Sequence, residues 1–451
     1  MDQKYEFDFE TLLRLVERKD IRGLRAALCQ ENEVDIAEFM EQLPQEQAVL
    51  VFRTLPKEVG AEVFSELEPE SQQLVIRSVT DQELGAIVEE LFVDDAVDML
   101  EEMPANVVKR VLKNARPETR KLINQFLNYP ENSAGSIMTA EFIDLRKTMT
   151  VSDAIGRIRR IGEDSEQIYT CYVMDSHRHL EGVVTVKELL LAPDDQLVQQ
   201  LMEPDVITAA TTEDQEQTAQ RMKRYNLLAM PVVDRENRLV GIITADDVMD
   251  VLEQEATEDF EKMAAISPSE RPYLKTTPFT LARKRIVWLL VLMISGMITG
   301  GILGRYEAAI ATMPLLVTFI PMLTDTGGNA GSQSSTLIIR GMAVGEIKPA
   351  DFFRVLWKEL RVSMLVGLAL SVVNFLRLLL TYPGQWHIAL TVAVALFATV
   401  IVAKTIGGVL PMAARMLKVD PAIMAAPLIT TVVDAFALVI YFSVAHTLLP
   451  L

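Results

Sequence analysis

The sequence predicts a multi-domain chain made of an α-helical superhelical N-domain, an α/β tandem pair, a connecting helix and an all-α membrane domain of five spans. Three observations predict it. Apolar runs long enough to cross a bilayer begin near residue 286 and recur to the end. Charge is split: the first 280 residues carry 30 Lys/Arg against 55 Asp/Glu, and the rest carry 13 against 7. A strand–turn–helix pattern occurs twice, its glycines Gly182 and Gly241 lying 59 residues apart. The whole chain has 451 residues and a net charge of −19, which excludes a global nucleic-acid footprint, so no nucleic-acid partner is expected. Two cysteines, Cys29 and Cys171, exclude a disulfide scaffold and fit a reducing compartment.

Residues 1–130 read as short amphipathic helices with periodic prolines. Leu43–Pro44, Leu55–Pro56 and then Leu67 with Pro69 recur at a step of twelve. Each start is expected to place proline in a first helical turn, followed by a glutamate that suits the helix dipole. Helices repeated in this way stack into a superhelix. Within LFVDDAVDMLEEMP, Asp94, Asp95, Asp98, Glu101 and Glu102 form an acidic helix face. The opening MDQKYEFDFE has no apolar core, so no leader segment is expected.

Residues 131–255 change character. IYTCYVMD and AMPVVD alternate like strands. HLEGVVTVKELL and RLVGIITADDVMDV each carry Gly-x-x-Thr-x-x-acid, as Gly182/Thr185/Glu188 and Gly241/Thr244/Asp247. This duplicated pattern resembles a pair of CBS domains. The resemblance implies an adenine-nucleotide cleft, with ATP as a regulatory ligand. It places ribose contacts on Thr244 and Asp247, and on Thr185 and Glu188, where Glu188 departs from the usual Asp. Tyr169 is positioned to stack on a base or to join the core. His177 and His179 form a His-x-His in the polar turn SHRHLEG; with no third ligand type beside it in sequence, a solvated turn is favoured over a metal site.

The five apolar runs are Ile286–Leu303, Met313–Ile339, Val362–Leu380, Ile388–Leu410 and Ile423–Leu449. Arg283, Lys284 and Arg285, the segment Arg340–Arg361, and Arg415 with Lys418 fall on one side, against Arg305 and Arg377 on the other. By the positive-inside rule the N-terminal domains are cytoplasmic and the C-terminus outside. An odd span count without an inverted repeat favours a pore on a two-fold axis, hence a homodimer in the lipid bilayer.

Ionisable groups at membrane depth are functional candidates. Asp434 falls near the middle of the fifth run, in PLITTVVD. There Pro427 lacks an N–H and is expected to free the Ile423 carbonyl. Thr430 and Thr431 add hydroxyls, giving hard oxygen donors suited to Mg²⁺ or Ca²⁺. The alternative is an Asp434–Lys404 pair. The second run holds Gly327, Gly328, Asn329, Gly331, Ser332, Gln333, Ser334 and Ser335, with Asp325 just before. Small-residue helix packing accounts for the glycines; Asn329 with Gln333 favours pore lining.

The acidic superhelix, the repeated pair, LEQEATED, five runs, GGNAGSQSS and DPAIMAAPLITTVVD together resemble the MgtE family of Mg²⁺ channels over nearly the full length. That resemblance implies Mg²⁺ as the ion, magnesium uptake through the plasma (inner) membrane, a homodimeric pore, and a plug helix at about Ala256–Tyr273 within a 256–280 connector. It also implies closure by cytoplasmic Mg²⁺ bridging Asp94, Asp95 and Asp98 to Asp214, Glu216, Asp246, Asp247 and Asp250, with Glu255, Glu258 and Asp259 reaching the plug. Like charges then repel and open the assembly when the ion is scarce. The rival readings are a regulated transporter of another divalent cation such as Co²⁺ or Ni²⁺, or of an osmolyte or anion. The latter wants cationic or helix-N-terminal groups at the midplane. A membrane-anchored nucleotide sensor needs only one span. No nucleophile–base pair or phosphate-binding glycine fingerprint suggests an enzyme.

Overall fold

Ten short helices open the chain, because prolines and polar caps interrupt the apolar pattern about every twelve residues. They are α1 (Phe9–Glu17), α2 (Ile21–Leu28), α3 (Glu33–Glu41), α4 (Gln45–Thr54), α5 (Lys57–Ser65), α6 (Pro69–Ser78), α7 (Asp81–Glu90), α8 (Val93–Glu101), α9 (Ala105–Asn114) and α10 (Pro117–Phe126). The computed structural model describes residues 7–269, 273–274 and 276–450 and falls into two units, Met1–Leu252 and Glu253–Leu451. Helices pack on those two positions along, α3 on α5, α5 on α7, α7 on α9 and α8 on α10, which is the stacking of a helical array. Leu43 and Leu67 are buried in the shared core. The expected first-turn placement of proline holds for Pro69 but not for Pro44 and Pro56. Those two sit one position earlier, as N-caps with φ −57°, where the fixed ring angle costs nothing and no N–H is needed.

The duplicated segment forms two matching three-stranded sheets. In the first, β1 (Phe142–Leu145) runs parallel to β2 (Gln167–Met174), which pairs antiparallel with β3 (Leu180–Thr185). In the second, β4 (Ala209–Ala210), β5 (Ala229–Val233) and β6 (Leu239–Thr244) repeat that order. The helices α11 (Val151–Ile161), α12 (Val186–Leu191), α13 (Gln215–Tyr225) and α14 (Ala245–Met263) complete the two copies. The copies exchange edges: Val183 bridges to Glu203, and Ile242 to Thr139. Gly241 permits this, since a Cβ there would lie 2.6 Å from the Thr139 carbonyl oxygen.

One helix, α14, runs through residue 255 and ends at Met263, so the expected connector begins inside a helix that starts in the second repeat. Its 270–272 and 275 lie outside the described residues. Beyond it come α15 (Pro278–Arg305), the short α16 (Glu307–Thr312), α17 (Ile320–Ala343), α18 (Phe352–Thr381), α19 (Trp386–Met416) and α20 (Ala426–Leu448). Four of these, α15, α18, α19 and α20, are long and apolar enough to cross a membrane.

The second apolar run is not one helix. Met313 ends α16, a 3₁₀ turn fills Pro314–Phe319, and α17 starts only at Ile320. At 24 residues α17 is long enough to span, but its glycines and amides make it too polar to count as apolar. Arg354, Lys358 and Arg361, expected in a loop, lie on the first turns of α18, and Arg415 lies in the last turn of α19.

Candidate functional site

Helices α17 and α20 lie antiparallel, and glycine allows it. A Cβ at Gly327 would meet Val433 at 2.9 Å, at Gly328 it would meet Thr430 at 2.9 Å, and at Gly331 it would meet Ile429 at 2.8 Å. The glycines of the second run therefore serve close helix packing. Opposite them, Asp325, Asn329 and Gln333 occupy i, i+4, i+8 on one exposed stripe of α17. The antiparallel register sets Asp325 level with Asp434, and the two carboxylates lie within electrostatic range of each other.

On α20, Pro427, Thr430, Thr431 and Asp434 follow at i, i+3, i+4, i+7 and are all half-buried. The proposed freeing of the Ile423 carbonyl does not occur. Pro427 stands in the first turn of α20, where no helical carbonyl waits for its N–H, and Ile423 belongs to a separate 3₁₀ turn, Pro421–Met424. Instead the Pro427 carbonyl accepts the hydroxyls of both Thr430 and Thr431 at 3.0 Å. Each threonine oxygen keeps lone pairs to offer.

Nor does Asp434 pair with Lys404. Lys404 is 5% exposed and donates to Ser334 Oγ at 3.2 Å; that hydroxyl donates in turn to Glu359 Oε2 at 2.6 Å. This bridge joins α19, α17 and α18 behind the glycine face. The intramembrane cation thus has its own partner, and Asp434 keeps its carboxylate for the polar face.

In the N-terminal unit, α8 packs its acidic face toward the first turn of α14. Asp94 is 8% exposed, and its Oδ1 finds no hydrogen-bond partner among the described residues. Burial pushes its carboxyl well above the usual range, with Asp95, Asp247 and Glu166 adding repulsion. Burial and then Asp247, Glu66, Asp246 and Glu141 raise Asp95 to about 6. Burial, Glu101 and Asp95 raise Asp98 to about 7. Asp247 is raised chiefly by burial, although Thr244 donates to it from both N–H and Oγ1. Asp250 acts on Glu66, whose carboxyl is raised by burial and that neighbour.

Three members of this cluster escaped the sequence reading. Glu166 rises to about 8, through burial and then Asp247, Asp95, Asp246 and Glu141. Glu141 and Glu66 are the others. Each sits just outside a regular element, where no periodicity marks a shared face. Asp214 and Glu216 are placed otherwise: Asp214 caps α13 by accepting from Gln217 N–H at 3.0 Å, and Glu216 accepts from Gln220. Buried carboxylates facing one another hold protons or a multivalent cation, and oxygen donors of this kind suit Mg²⁺.

In the second unit, Lys262 stands between Glu258 at 2.5 Å and Asp420 at 2.7 Å. Burial opposes its charge, but hydrogen bonds to Asp420 and Glu258 outweigh it and raise the ammonium. Asp259 is raised by burial, with Asp420 adding repulsion. Asp420 lies in the DPAIM segment ahead of α20 and was missed; its signal was an acid directly before the proline of a helix start. Glu255 lies on α14, one turn before Glu258 and Asp259.

The repeated Gly-x-x-Thr-x-x-acid motif is a capping box in the first copy. Thr185 Oγ1 donates to Glu188 Oε2 at 2.7 Å, while Glu188 N–H donates back to Thr185 Oγ1 at 3.2 Å. In the second copy Thr244 Oγ1 and the Thr244 N–H both donate to Asp247 Oδ2, at 2.5 Å and 3.2 Å, as Thr185 Oγ1 and its N–H do to Glu188 Oε2. Tyr169 on β2 is 64% exposed, so it is not a core residue.

Comparison with known proteins matches each part. Residues 320–444 match the profile described as MgtE, divalent cation transporter; residues 31–132 match the MgtE intracellular N domain; 134–195 and 198–254 match CBS domains. The magnesium transporter MgtE of Thermus thermophilus is 38% identical over 97% of this chain and 98% of its own. That of Bacillus subtilis is 32% identical over 99% and 98%. The cytosolic domain of the Mg²⁺ channel MgtE in complex with ATP superposes with a TM-score of 0.52 at 36% identity, covering 54% of this chain and 99% of that one. The soluble part of a magnesium transporter gives 0.54 at 27% identity, over 56% and 100%. Matched in all of its parts and along nearly its whole length, the chain belongs to the MgtE family of magnesium transporters, membrane proteins rather than enzymes.

Proposed function

We propose that two copies of this chain form a Mg²⁺-selective conduit in the plasma membrane, with the N-terminal domains cytoplasmic and the C-terminus outside, closed by cytoplasmic Mg²⁺. The observation that carries the reading is the α17–α20 face. Asp325, Asn329 and Gln333 are exposed on a helix long enough to span, level with the half-buried Asp434. Lipid does not solvate such groups, so that face meets water or a second copy. A two-fold axis along it brings two Asp434 carboxylates together. Mg²⁺ sheds water reluctantly, and paired carboxylates with Thr430, Thr431, Asn329 and Gln333 hold its water ligands rather than stripping them.

The acidic cluster around Asp94 supplies the gate. Mg²⁺ bound among Asp94, Asp95, Asp98, Asp247 and Glu166 removes the repulsion between α8 and α14, and shifts the balance by its tighter binding to the closed arrangement. ATP is a second ligand in this reading, supported by the likeness to an ATP-bound cytosolic domain and by the exposed Tyr169, whose neighbour Thr170 pairs with Thr185 across β2 and β3.

The test is Mg²⁺ flux into proteoliposomes. Asp434→Ala is expected to lower flux at least tenfold; undiminished flux with unchanged selectivity overturns the conduit. Deleting residues 1–130 is expected to weaken inhibition by internal Mg²⁺, and unaltered inhibition overturns the gate.

A further inference from the structure

The turn between β2 and β3 holds a group of side chains that neither the conduit nor the gate uses. The His-x-His turn does have a third ligand type beside it: Asp175, two residues before His177, and the two histidines offer three ligand atoms that all lie within 4.8 Å of one another. The local backbone explains why. Asp175 Oδ1 accepts the N–H groups of His177 at 2.7 Å and His179 at 2.9 Å. Arg178 between them takes φ +69°, which turns the chain so that both imidazoles flank the same carboxylate. Asp175 Oδ2 lies 2.9 Å from His179 Nδ1 and 3.9 Å from His177 Nδ1.

The second repeat provides an internal control. There Asp234 Oδ1 accepts from Glu236 at 2.8 Å and Arg238 at 2.9 Å, and Asn237 takes φ +60°. The turn is the same, but Glu236 and Arg238 replace the two histidines and form an ion pair. The fold's requirement for this turn is therefore met without imidazole. His177 and His179 are chemistry added to one copy alone.

We propose that Asp175, His177 and His179 form a binding site for a borderline divalent transition metal such as Zn²⁺ or Ni²⁺. Two imidazoles and a carboxylate are a donor set for these ions, with water filling the remaining positions at an exposed turn. The same set disfavours Mg²⁺, which prefers an all-oxygen octahedron. Arg178 and the Arg146 guanidinium, which donates to the Asp175 carbonyl, weaken attraction for a purely electrostatic dication, so imidazole coordination decides the selectivity. The site is separate from the transport reading, and its failure leaves that reading untouched.

The test uses the full-length chain in detergent without a histidine tag, titrated with Zn²⁺ by calorimetry under saturating Mg²⁺, which fills the oxygen sites first. The comparison variant carries His177→Glu and His179→Arg, which installs the second repeat's turn and keeps the fold. The native chain is expected to bind one Zn²⁺ more per chain, with at least tenfold tighter affinity at that step. Zn²⁺ but not Mg²⁺ should also protect His177 and His179 from diethyl pyrocarbonate, read by peptide mass spectrometry. Equal Zn²⁺ stoichiometry in the two proteins, or undiminished modification under Zn²⁺, overturns the site.

Discussion

The Lys404 ammonium donates to the Ser334 hydroxyl at 3.2 Å, and Ser334 passes that contact to Glu359 at 2.6 Å. A cation, a hydroxyl and a carboxylate on three helices are thus joined inside the membrane domain. Removing the buried ammonium leaves the half-buried Glu359 carboxylate without the opposite charge behind its hydroxyl partner. Lys404→Met is therefore expected to lower the Tm of the detergent-solubilised protein by several degrees. Combining it with Glu359→Gln should return part of that loss, because no unpaired charge remains. A double variant no more stable than Lys404→Met alone would show that the two groups are not coupled.

Helix packing gives a sharper steric expectation. A Cβ at Gly407 would lie 2.1 Å from the Gly331 carbonyl oxygen, so α17 and α19 cannot keep their distance if any side chain is added. Gly407→Ala should destabilise the membrane domain and scramble the α17–α20 face, costing about 1–3 kcal/mol or more by overpacking. Gly156 on α11 meets nothing within 4 Å, and Gly156→Ala should instead stabilise by about 0.5–1 kcal/mol. Thermal unfolding of the two variants side by side reads the contrast.

What was legible in the sequence follows from where the signal lies. Four of the apolar spans and the repeat were readable because apolar runs and a duplicated motif are local patterns, and the charge of Asp434 stands out in its greasy segment for the same reason. Asp94, Asp95 and Asp98 were readable as one helix face. Glu166 and Glu141 were not, because they join that face only after β1 and β2 pair, through contacts such as Glu166 N–H to the Glu141 carbonyl. The partner of Lys404 was hidden for the same reason, since Ser334 is seventy residues away. The role of Pro427 was misjudged because sequence does not mark where α20 starts, and a proline in a first turn frees no carbonyl. The polar second run invited a choice between packing and pore lining, and the structure divides it: glycines on one face, Asn329 and Gln333 on the other.

The Thr185–Glu188 capping box allows a separable test of the nucleotide reading. Thr185→Ala removes a hydroxyl that both donates to Glu188 and accepts its N–H, and should cost about 1 kcal/mol of stability. Tyr169→Ala removes an exposed ring and should leave the Tm unchanged. If ATP binds in this cleft, Tyr169→Ala weakens its affinity by calorimetry while stability holds. Equal affinity in the wild type and Tyr169→Ala would remove the ring from the site.

The acidic cluster makes stability depend on pH, and the gating proposal adds a dependence on Mg²⁺. Asp95, Asp98 and Glu166 carry carboxyls raised to about 6, 7 and 8, against unfolded values near 4. Between pH 4 and pH 8 the folded chain therefore binds more protons than the unfolded one, and stability falls as pH rises through that window. In the gating proposal, Mg²⁺ competes with those protons for the same oxygens. Without divalent ions, the unfolding transition of the N-terminal unit should move down between pH 5.5 and pH 8. Added Mg²⁺ should raise it more at pH 8 than at pH 5.5, because at the lower pH protons already neutralise the site. Asp95→Asn together with Asp98→Asn should flatten the pH slope and shrink the Mg²⁺ response in parallel. Differential scanning calorimetry of the full chain measures both, and a Mg²⁺ response that survives the flattened slope would separate ion binding from these carboxylates.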